Sequence, residues 1–400
     1  MSLPRIRLKK GEDRRIRAGH PWIFSNEIDT KLTPLKSFTP GQEVLVEAHD
    51  KSVLGTAYLN PHSLIAGRLF SRDPDTRLDL NFFKEKFQAA LSLRERLFDQ
   101  PFYRLVFSEG DGLPGLVIDR FAQDFVVQIN TAGMEQKQIL IQEALCSLFP
   151  DIHSILLRND SQVREHEGLT QTITPLLGHP PEIIRLQENS ATFSVPLWRG
   201  QKTGWFYDHR QNRARLAPYV PQRRVLDVFS YLGAWGIQAA LGGATQVDCI
   251  ESSALASGFI LENAKLNHVH SQLNVITADA FDAMKQLLKD KKNYDVIILD
   301  PPAFVKKLKD RKEGLIAYQR LNELALKLLS PDGILVSCSC SMHVQFGDLM
   351  QLMQRLQFRN QETLQLLERG HQGPDHPIHI AIPETDYLKT VIVRKMKQER

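Results

Sequence analysis

The sequence VIILDPPAF, from Val296 to Phe304, indicates the fold of this chain. Its first four residues are apolar and mostly branched, which is typical of a strand buried on both faces of a parallel sheet. The run stops at Asp300, and the two prolines that follow cannot continue a hydrogen-bonded ladder. Because ligands of open α/β sheets bind beyond the carboxyl ends of the strands, we expect Asp300 to face a reaction crevice rather than to end an ordinary turn.

Strand and helix patterns alternate on both sides of this stretch. The alternation indicates a doubly wound, Rossmann-like α/β sheet. Parallel strands are predicted at Val225–Phe229, Gln246–Ile250, Leu273–Thr277, Val296–Leu299 and Gly333–Ser337, helices at Ile237–Leu241, Ala254–Asn267 and Ala317–Leu329, and two last strands at Ile378–Ile382 and Thr390–Val393.

Three acidic residues stand at or near the ends of successive predicted strands: Asp227, Glu251 and Asp279. Glu251 lies roughly 24 residues after Asp227, close to the spacing at which Rossmann-like folds place an acid on a ribose hydroxyl. The sequence therefore predicts an adenosine-containing ligand. The alternative is a sheet of this kind whose acids are incidental.

The loop after Asp227 limits which adenosine ligand can bind. It keeps Gly233 and Gly236 but has Phe229 and Tyr231 where a phosphate-cradling loop needs glycine. The loop therefore disfavours binding of a pyrophosphate. It also lacks the glycine-rich fingerprint of a nicotinamide dehydrogenase, which argues against that class of enzyme.

S-adenosylmethionine has no phosphate and fits these residues better. Its adenine would meet Asp279, its ribose Glu251, and its methionine portion Asp227 and the Gly233 turn. The candidate cofactor-binding residues are Asp227, Phe229, Tyr231, Gly233, Glu251, Asp279, Ala280, Asp300 and Pro301.

Composition sets few limits on function. The 400 residues are 42% apolar, enough for two or three domains with real cores. The net charge of +4 permits a nucleic-acid partner without requiring one. No apolar run is long enough to span a bilayer, and the basic first residues have no hydrophobic segment behind them, so we expect a cytoplasmic protein without a membrane partner.

The four cysteines are Cys146, Cys249, Cys338 and Cys340. Their spacing forms no paired zinc knuckles, and Cys-x-Cys is too tight for a disulfide framework. We therefore expect reduced thiols and no metal site.

Residues 1–72 are predicted to form a small β domain. Strand-like runs at Glu43–Glu47 and Leu54–Leu59 are separated by residues of turn composition. Arg14 and Arg15 belong to a basic cluster that precedes a glycine turn and Trp22. This composition suits contact with a phosphate backbone, and it equally suits a solvated basic terminus.

Residues 73–185 are predicted to form an α+β domain that begins with a helix at Leu80–Phe98. Strands at Phe125–Ile129 and Ser154–Arg158 would flank a second helix. Glu109 and Asp111 would suit acid–base chemistry as a carboxylate pair, but no other reactive group converges on them. We favour structural roles in a turn for both.

Several motifs together resemble those of the 23S ribosomal RNA cytosine-5 methyltransferase family. They are DVFSYLG at Asp227–Gly233, LDPPAF at Leu299–Phe304 and SCSCS at Ser337–Ser341. The chain from Lys9 through Phe24 and on to Tyr58 resembles a PUA domain, and Gly200–Arg210 resembles the stretch that lies over the cofactor in such enzymes.

The resemblance spans nearly the whole chain and implies an S-adenosylmethionine-dependent enzyme that forms 5-methylcytosine in 23S ribosomal RNA. It also implies three domains: a PUA-like RNA-binding β-barrel at 1–72, a central α+β domain at 73–185 and a class I methyltransferase domain at 186–400. A homodimer is compatible with the sequence, which does not determine the oligomeric state.

The chemistry implied by this resemblance requires a cysteine. Carbon 5 of cytosine is a poor nucleophile, and adding a thiolate to carbon 6 makes the ring enamine-like. Ser-Cys-Ser occurs twice in overlap, so the motif fits either Cys338 or Cys340. We favour Cys340 because it lies further past the strand end, with Asp300 as the second catalytic residue, hydrogen-bonded to the base.

The substrate side of the crevice would begin at Phe304. Its ring would lie against the extruded base, or alternatively pack in the core. The basic residues that follow would hold RNA phosphates or form a solvated loop. The candidate substrate-binding residues are Phe304, Lys306, Lys307, Arg311, Arg14 and Arg15.

Two other functions remain open from the sequence. One is methylation of an exocyclic amine of an RNA base, for which Asp-Pro-Pro and an aromatic residue suffice and no cysteine is needed. The other is a non-catalytic RNA-binding ribosome assembly factor with a vestigial cofactor pocket.

Overall fold

The computed structural model describes residues 3–397, so the ends of the predicted domains at residues 1 and 400 lie outside the described residues. The chain forms two compact units. The first consists of Met1–Ile184, Pro196–Trp205 and Pro374–Thr385, and the second of Arg185–Val195, Phe206–Gly373 and Asp386–Arg400. Among residues 3–397, no helix has the length and apolar character that crossing a bilayer requires.

The first unit begins with a five-stranded sheet in the order β1-β3-β4-β5-β2. The strands are β1 (Arg5–Arg7), β2 (Trp22–Phe24), β3 (Gln42–Glu47), β4 (Val53–Leu59) and β5 (Ile65–Ser71), with the single-turn helix α1 (Arg14–Arg17) between β1 and β2. The two strands predicted for this domain are confirmed as the antiparallel pair β3 and β4. The sequence did not indicate β1 and β2, because each has only three residues and shows no period.

A second five-stranded sheet of this unit has the order β10-β9-β8-β7-β6. Its strands are β6 (Phe102–Phe107), β7 (Leu116–Phe121), β8 (Asp124–Ile129), β9 (Ser154–Asn159) and β10 (Thr172–Leu177), and its helices are α2 (Leu80–Leu97), α3 (Ala132–Glu135), α4 (Gln138–Leu148) and α5 (Val163–His166). Helices α2 and α4 and strands β8 and β9 confirm the α+β prediction for this segment. The bounds of the predicted domains stay a prediction.

Glu109 and Asp111 have structural contacts in this unit. The buried Arg94 donates to both oxygens of Asp111, at 2.6 and 2.7 Å. Glu109 accepts a hydrogen bond from the indole of Trp22 at 2.8 Å. These contacts agree with turn roles, because both carboxylates are engaged by neighbouring donors.

The second unit is built on a seven-stranded sheet in the order β15-β14-β13-β16-β17-β19-β18. A hairpin of β11 (Ile183–Glu188) and β12 (Ala191–Pro196) and the short helix α6 (Arg210–Ala214) come first in the chain. The sheet strands are β13 (Arg224–Val228), β14 (Gln246–Glu251), β15 (Leu273–Thr277), β16 (Tyr294–Leu299), β17 (Leu329–Ser339), β18 (Leu364–His371) and β19 (Lys389–Lys395). The helices are α7 (Ala234–Leu241), α8 (Ala254–Leu266), α9 (Ala280–Lys289), α10 (Arg311–Leu328) and α11 (Phe346–Asn360).

All five predicted parallel strands are confirmed, and their order indicates where a ligand would bind. Strands β13, β14 and β15 follow one another in one direction across the sheet, whereas β16 and β17 continue in the other. The carboxyl ends of β13 and β16 therefore border the switch point at which open α/β sheets hold their ligands.

The strand predicted at Ile378–Ile382 is wrong. These residues form no strand and belong to the first unit, and Ile380 is 99% exposed. Of the alternating isoleucines only Ile382 is buried, whereas Ile378 and Ile380 are exposed, so they form no continuous buried face. The strand predicted at Thr390–Val393 is confirmed as β19, which pairs antiparallel with both β17 and β18. The sequence did not indicate β18, because alternate side chains along it are exposed.

Helix α10 begins at Arg311 rather than at the predicted Ala317. The sequence placed the basic residues in a loop, because the apolar period begins only later. In the structure Lys306 and Lys307 precede a short 3-10 helix at Leu308–Asp310, whereas Arg311 and Lys312 form the first turn of α10.

Candidate active site

The loop between β13 and α7 has an unusual backbone. Phe229, Tyr231 and Gly233 have positive φ angles of 67°, 51° and 82°. Bulky L-residues rarely adopt this conformation, and such strain collects at ligand-binding sites. The two aromatic residues thus take the backbone conformation that glycine usually supplies, and the amides of Phe229 and Ser230 both donate to the carbonyl of Ile250.

Glu251 ties this loop to the end of β14. Its Oε2 accepts from the amide of Tyr231 at 2.9 Å, and its Oε1 accepts from the amide of Ser253 at 2.8 Å. The next predicted acid has a different contact: Asp279 caps α9 by accepting from the amides of Phe281 and Asp282 at 2.9 and 3.2 Å. Roles of Glu251, Asp279 and Ala280 in holding a cofactor stay predictions.

Asp227 is fully buried near the end of β13. Its Oδ2 accepts from the amide of Gly236 at 3.0 Å, whereas its buried Oδ1 has no hydrogen-bond partner among the described residues. Burial raises the pKa of this carboxyl to about 7, and the charges of Asp300 and Glu251 add to the rise. A buried carboxylate with one unsatisfied oxygen is suited to binding a cation.

Asp300 follows β16 and is held from two sides. The indole nitrogen of Trp235 donates to Oδ2 at 2.9 Å, and Nε2 of His209 lies 3.1 Å from Oδ1. Burial favours the neutral acid, but His209 and these hydrogen bonds outweigh it and hold the pKa of Asp300 below its ordinary value. The carboxylate is therefore ionised and fixed in orientation.

The sequence did not single out His209 and Trp235. His209 lies in the segment at 200–210, and Trp235 lies between Gly233 and Gly236. Neither stretch by itself shows that the two side chains converge on Asp300, because His209, Trp235 and Asp300 are distant in the chain.

The two candidate nucleophiles have different surroundings. Cys338 is fully buried in β17 and accepts a hydrogen bond from the hydroxyl of Thr390 in β19, at 3.3 Å. Burial raises the pKa of its thiol well above the ordinary value. Cys340 lies one residue past β17, is partly exposed, and its Sγ is 3.7 Å from the carbonyl oxygen of Pro301. Only Cys340 combines access with contact to the loop after Asp300.

Three side chains that could bind a metal lie close together. A ring nitrogen of His209, a carboxylate oxygen of Asp300 and the sulfur of Cys338 are all within 4.8 Å of one another. These donor types are those that Zn²⁺ binds. Each of the three side chains also has a partner within the protein: Nε2 of His209 lies 3.1 Å from Asp300, and the hydroxyl of Thr390 donates to Cys338. The expectation of no metal site stays a prediction.

Tyr318 of α10 connects the two loops at the site. Its buried hydroxyl lies 2.9 Å from Oγ of Ser339 and 3.0 Å from Oγ of Ser341. Ser341 in turn accepts from the amide of Val305 at 3.3 Å. The ring of Phe304 packs on Tyr318 with centroids 4.8 Å apart. The loop after Asp300 and the loop that carries Cys340 are therefore fixed to each other.

The residues predicted to contact RNA phosphates differ in their exposure and in whether they form an ion pair within the protein. Lys306, Lys307 and Arg14 are exposed. Arg311 pairs with Asp348 at 2.6 Å, and Arg15 pairs with Glu27 at 2.6 Å and lies over the ring of Phe24. The substrate-binding assignments of these residues stay predictions.

Gly236 allows α7 to approach the strands. A Cβ atom there would lie 2.7 Å from Sγ of Cys249 and 3.2 Å from Oδ2 of Asp227. We expect Gly236→Ala to destabilise the protein by about 1–3 kcal/mol through overpacking. Gly258 of α8 has no atom within 4 Å of such a Cβ, so the control Gly258→Ala should be neutral or stabilising by up to about 1 kcal/mol. Thermal unfolding of both variants measures the difference, and equal melting temperatures would contradict the expectation.

Two family models match the chain. The model of a PUA-like domain matches residues 6–72, and the model of an S-adenosylmethionine-dependent methyltransferase matches residues 163–394. A ribosomal RNA large subunit methyltransferase I from Aliivibrio fischeri (strain MJ11) is 36% identical over 96% of this chain and 97% of its own length. The protein of the same name from Shewanella frigidimarina is 34% identical over 98% of this chain and 99% of its own.

This chain belongs to the ribosomal RNA large subunit methyltransferase I family. It has a PUA-like domain and an S-adenosylmethionine-dependent methyltransferase domain. The fold is also that of a putative methyltransferase from Streptococcus mutans, which matches with a TM-score of 0.83 at 22% identity over 98% of this chain and 100% of its own.

The residues of the methyltransferase sheet fit the family's cofactor. S-adenosylmethionine carries a cationic amino group, and the buried Oδ1 of Asp227 has no hydrogen-bond partner among the described residues. The strained loop at Phe229 and Tyr231 lies beside it at the same sheet edge. These features would suit an adenosine ligand with a cationic tail, and the role of Asp227 in holding it stays a prediction.

Proposed function

We propose that this methyltransferase forms 5-methylcytosine in the 23S ribosomal RNA of the large subunit, through a covalent adduct with Cys340. The observation that carries the proposal is the position of the Cys340 thiol, which is partly exposed and lies 3.7 Å from the carbonyl oxygen of Pro301, the residue that follows Asp300. The name of the relatives, ribosomal RNA large subunit methyltransferase I, supports ribosomal RNA as the substrate. Such an enzyme would work in the cytoplasm.

In this proposal Cys340 acts as the nucleophile. Its thiolate forms a bond to carbon 6 of cytosine, and the electron pair of the 5,6 double bond moves so that carbon 5 becomes nucleophilic. S-adenosylmethionine, when bound, would supply the electrophilic methyl group for carbon 5 and would leave as S-adenosylhomocysteine. Loss of the carbon-5 proton to a base and breakage of the bond between sulfur and carbon 6 then restore the aromatic ring and the thiolate.

Asp300 positions the base in this proposal. Its ionised carboxylate is oriented by Trp235 and His209, so its remaining lone pairs accept a hydrogen bond from the exocyclic amino group of cytosine. The base must leave its stack to reach the site, and Phe304, supported by Tyr318, offers a ring against which it can lie.

The modification pattern of ribosomal RNA tests this function. In cells that lack the gene, mass mapping of 23S ribosomal RNA should show one cytosine without its ring methyl group, and the wild-type gene should restore it. The purified protein with S-adenosylmethionine should methylate the same cytosine in RNA from the deleted strain. An unchanged methylation pattern, or a missing methyl group on an exocyclic nitrogen, would contradict the proposal.

A further inference from the structure

A groove runs between α10 and α11 in the second unit. It consists of two adjoining cavities, of about 570 and 880 Å³, that share Gln319, Gln351 and Arg355 in their walls. The first cavity begins at Leu308–Lys312, and the second ends at Phe358 and Arg359 near the end of α11. The shared residues make the two cavities one continuous groove, which we call the α10–α11 groove.

The α10–α11 groove starts beside the loop that carries Cys340. Arg311 at its first end donates to the carbonyl of His343, three residues after Cys340, at 3.3 Å. The same guanidinium pairs with Asp348 in the first turn of α11 at 2.6 Å. From Asp348 to Phe358 the helix extends the groove by roughly 15 Å, the length of a few nucleotides.

The groove is basic along its length. Lys309, Lys312, Arg355 and Arg359 are exposed on its walls. Among the described residues that line it, Asp348 is the one carboxylate, and Arg311 already neutralises it. Such a surface attracts a polyanion.

The far end of the groove presents an aromatic ring. Phe358 is 86% exposed and lies between Arg355 and Arg359 on one side of the helix, with glutamines beside it. Cations that track a backbone and an exposed ring on which a base can stack are the two elements of single-strand binding sites. Glutamine side chains add donors and acceptors for base edges.

We propose that the α10–α11 groove binds the single-stranded RNA that flanks the target nucleotide. Arg355 and Arg359 hold phosphates, and a base stacks on Phe358. This inference rests on the proposed function, because it takes RNA as the substrate. It adds to that function a contact surface on α11, remote from the reacting atoms, that fixes which strand enters the crevice.

A second copy of this chain is the competing occupant, because Phe358 and Leu308 are apolar and exposed at 86% and 68%. In a twofold dimer the same patch of both copies would meet. The exposed cations of the groove would then face one another, and like charges disfavour that contact. RNA is the occupant with complementary charge.

Three substitutions on α11 test the proposal: Arg355→Glu, Arg359→Glu and Phe358→Ala. Each arginine variant should bind single-stranded RNA containing the target about 10-fold more weakly, and the slope of log affinity against log salt should fall by about 1. Phe358→Ala should weaken binding by about 10-fold with an unchanged slope, because stacking releases no counterions. At saturating RNA the turnover number of all three variants should equal that of the wild type.

Lys292→Glu is the matched control. Lys292 is exposed, precedes β16 and lines neither cavity of the groove, and its replacement by glutamate makes the same change of charge. Its RNA affinity should stay at the wild-type value. Equal losses in Lys292→Glu and the arginine variants, or unchanged RNA affinity in the α11 variants, would overturn the proposal.

The oligomeric state separates the two occupants. Analytical ultracentrifugation of Phe358→Ala and the wild type without RNA should give the same mass. A loss of dimer in the variant with unchanged RNA affinity would assign the groove to a second copy and overturn the proposal.

The failure of the groove proposal can be told apart from the failure of the proposed function. If the wild type binds RNA through the groove but methylates no cytosine, the proposed function is wrong and the proposal for the α10–α11 groove holds. If the wild type methylates cytosine and the α11 variants bind RNA with the same affinity as the wild type, only the proposal for the α10–α11 groove is wrong.

Discussion

Cys340→Ala is expected to lower the turnover of RNA methylation by about 10³-fold or more, whereas Cys338→Ala should keep it within a few-fold of the wild type. In the proposed reaction the thiolate of Cys340 makes carbon 5 nucleophilic, and alanine cannot form the covalent bond to carbon 6. Cys338 is buried against Thr390 and packs as a small apolar residue. Single-turnover methylation of target RNA with labelled S-adenosylmethionine measures both rates.

A covalent trap adds an independent measurement. RNA with 5-fluorocytosine at the target cannot lose its carbon-5 substituent as a proton, so the adduct with the protein should accumulate. The wild type and Cys338→Ala should give a complex that survives denaturing electrophoresis, and Cys340→Ala should not. Cofactor binding and the melting temperature of Cys340→Ala should match the wild type, which excludes a folding defect.

The outcome also separates the competing functions. Undiminished turnover in both cysteine variants would exclude the covalent route and favour methylation of an exocyclic amine, for which Asp300 and Phe304 suffice. Loss of the adduct in Cys338→Ala alone would move the nucleophile to Cys338. No heat on titrating the wild type with millimolar S-adenosylmethionine would favour a non-catalytic RNA-binding protein.

Asp227→Asn is expected to weaken binding of S-adenosylmethionine by about 100-fold. The substitution keeps the shape and the oxygen that accepts from Gly236, but it removes the negative charge that would face the cationic amino group of the cofactor in the predicted binding mode. Loss of one member of a desolvated, hydrogen-bonded charge pair commonly costs about 2–5 kcal/mol of binding free energy. Isothermal titration calorimetry with S-adenosylmethionine and S-adenosylhomocysteine measures the loss.

The pH dependence of this binding has a definite sign. Because burial raises the pKa of Asp227 to about 7, the free protein below that pH holds a neutral carboxyl, which must lose its proton before it pairs with a cation. Wild-type affinity should therefore rise several-fold between about pH 6 and pH 7.5, with proton release at the lower pH. In Asp227→Asn this rise should be absent. Affinity of the wild type that falls over the same range, or an asparagine variant with full affinity, would refute the assignment.

Much of the fold could be predicted from the sequence. The apolar runs at Val225–Phe229 and Val296–Leu299 are confirmed as β13 and β16, because strands buried on both faces leave a continuous apolar signal. Edge strands such as β18 leave a weaker signal, since half of their side chains are exposed. The stretch Ile378–Ile382 gave the opposite error: its apolar residues alternate, but Ile378 and Ile380 are exposed and the stretch forms no strand.

The candidate site was predicted only in part. The sequence indicated Asp227, Glu251 and Asp300, because acids at the ends of parallel strands meet at one edge of the sheet independently of how the helices pack. No local pattern could show that Tyr318 of α10 bridges Ser339 and Ser341, or that Phe229 and Tyr231 take a left-handed backbone. Such contacts depend on how helices pack on the sheet.

The sequence by itself determined the alternation of strands and helices that is typical of a doubly wound sheet, the family motifs, and the two cysteines that are candidate nucleophiles. Only the tertiary structure decided that His209 and Trp235 clamp Asp300, and that Cys340 is accessible whereas Cys338 is buried. The physical reason is that strand periodicity is a local property of the chain, whereas burial and side-chain convergence arise when distant segments pack together.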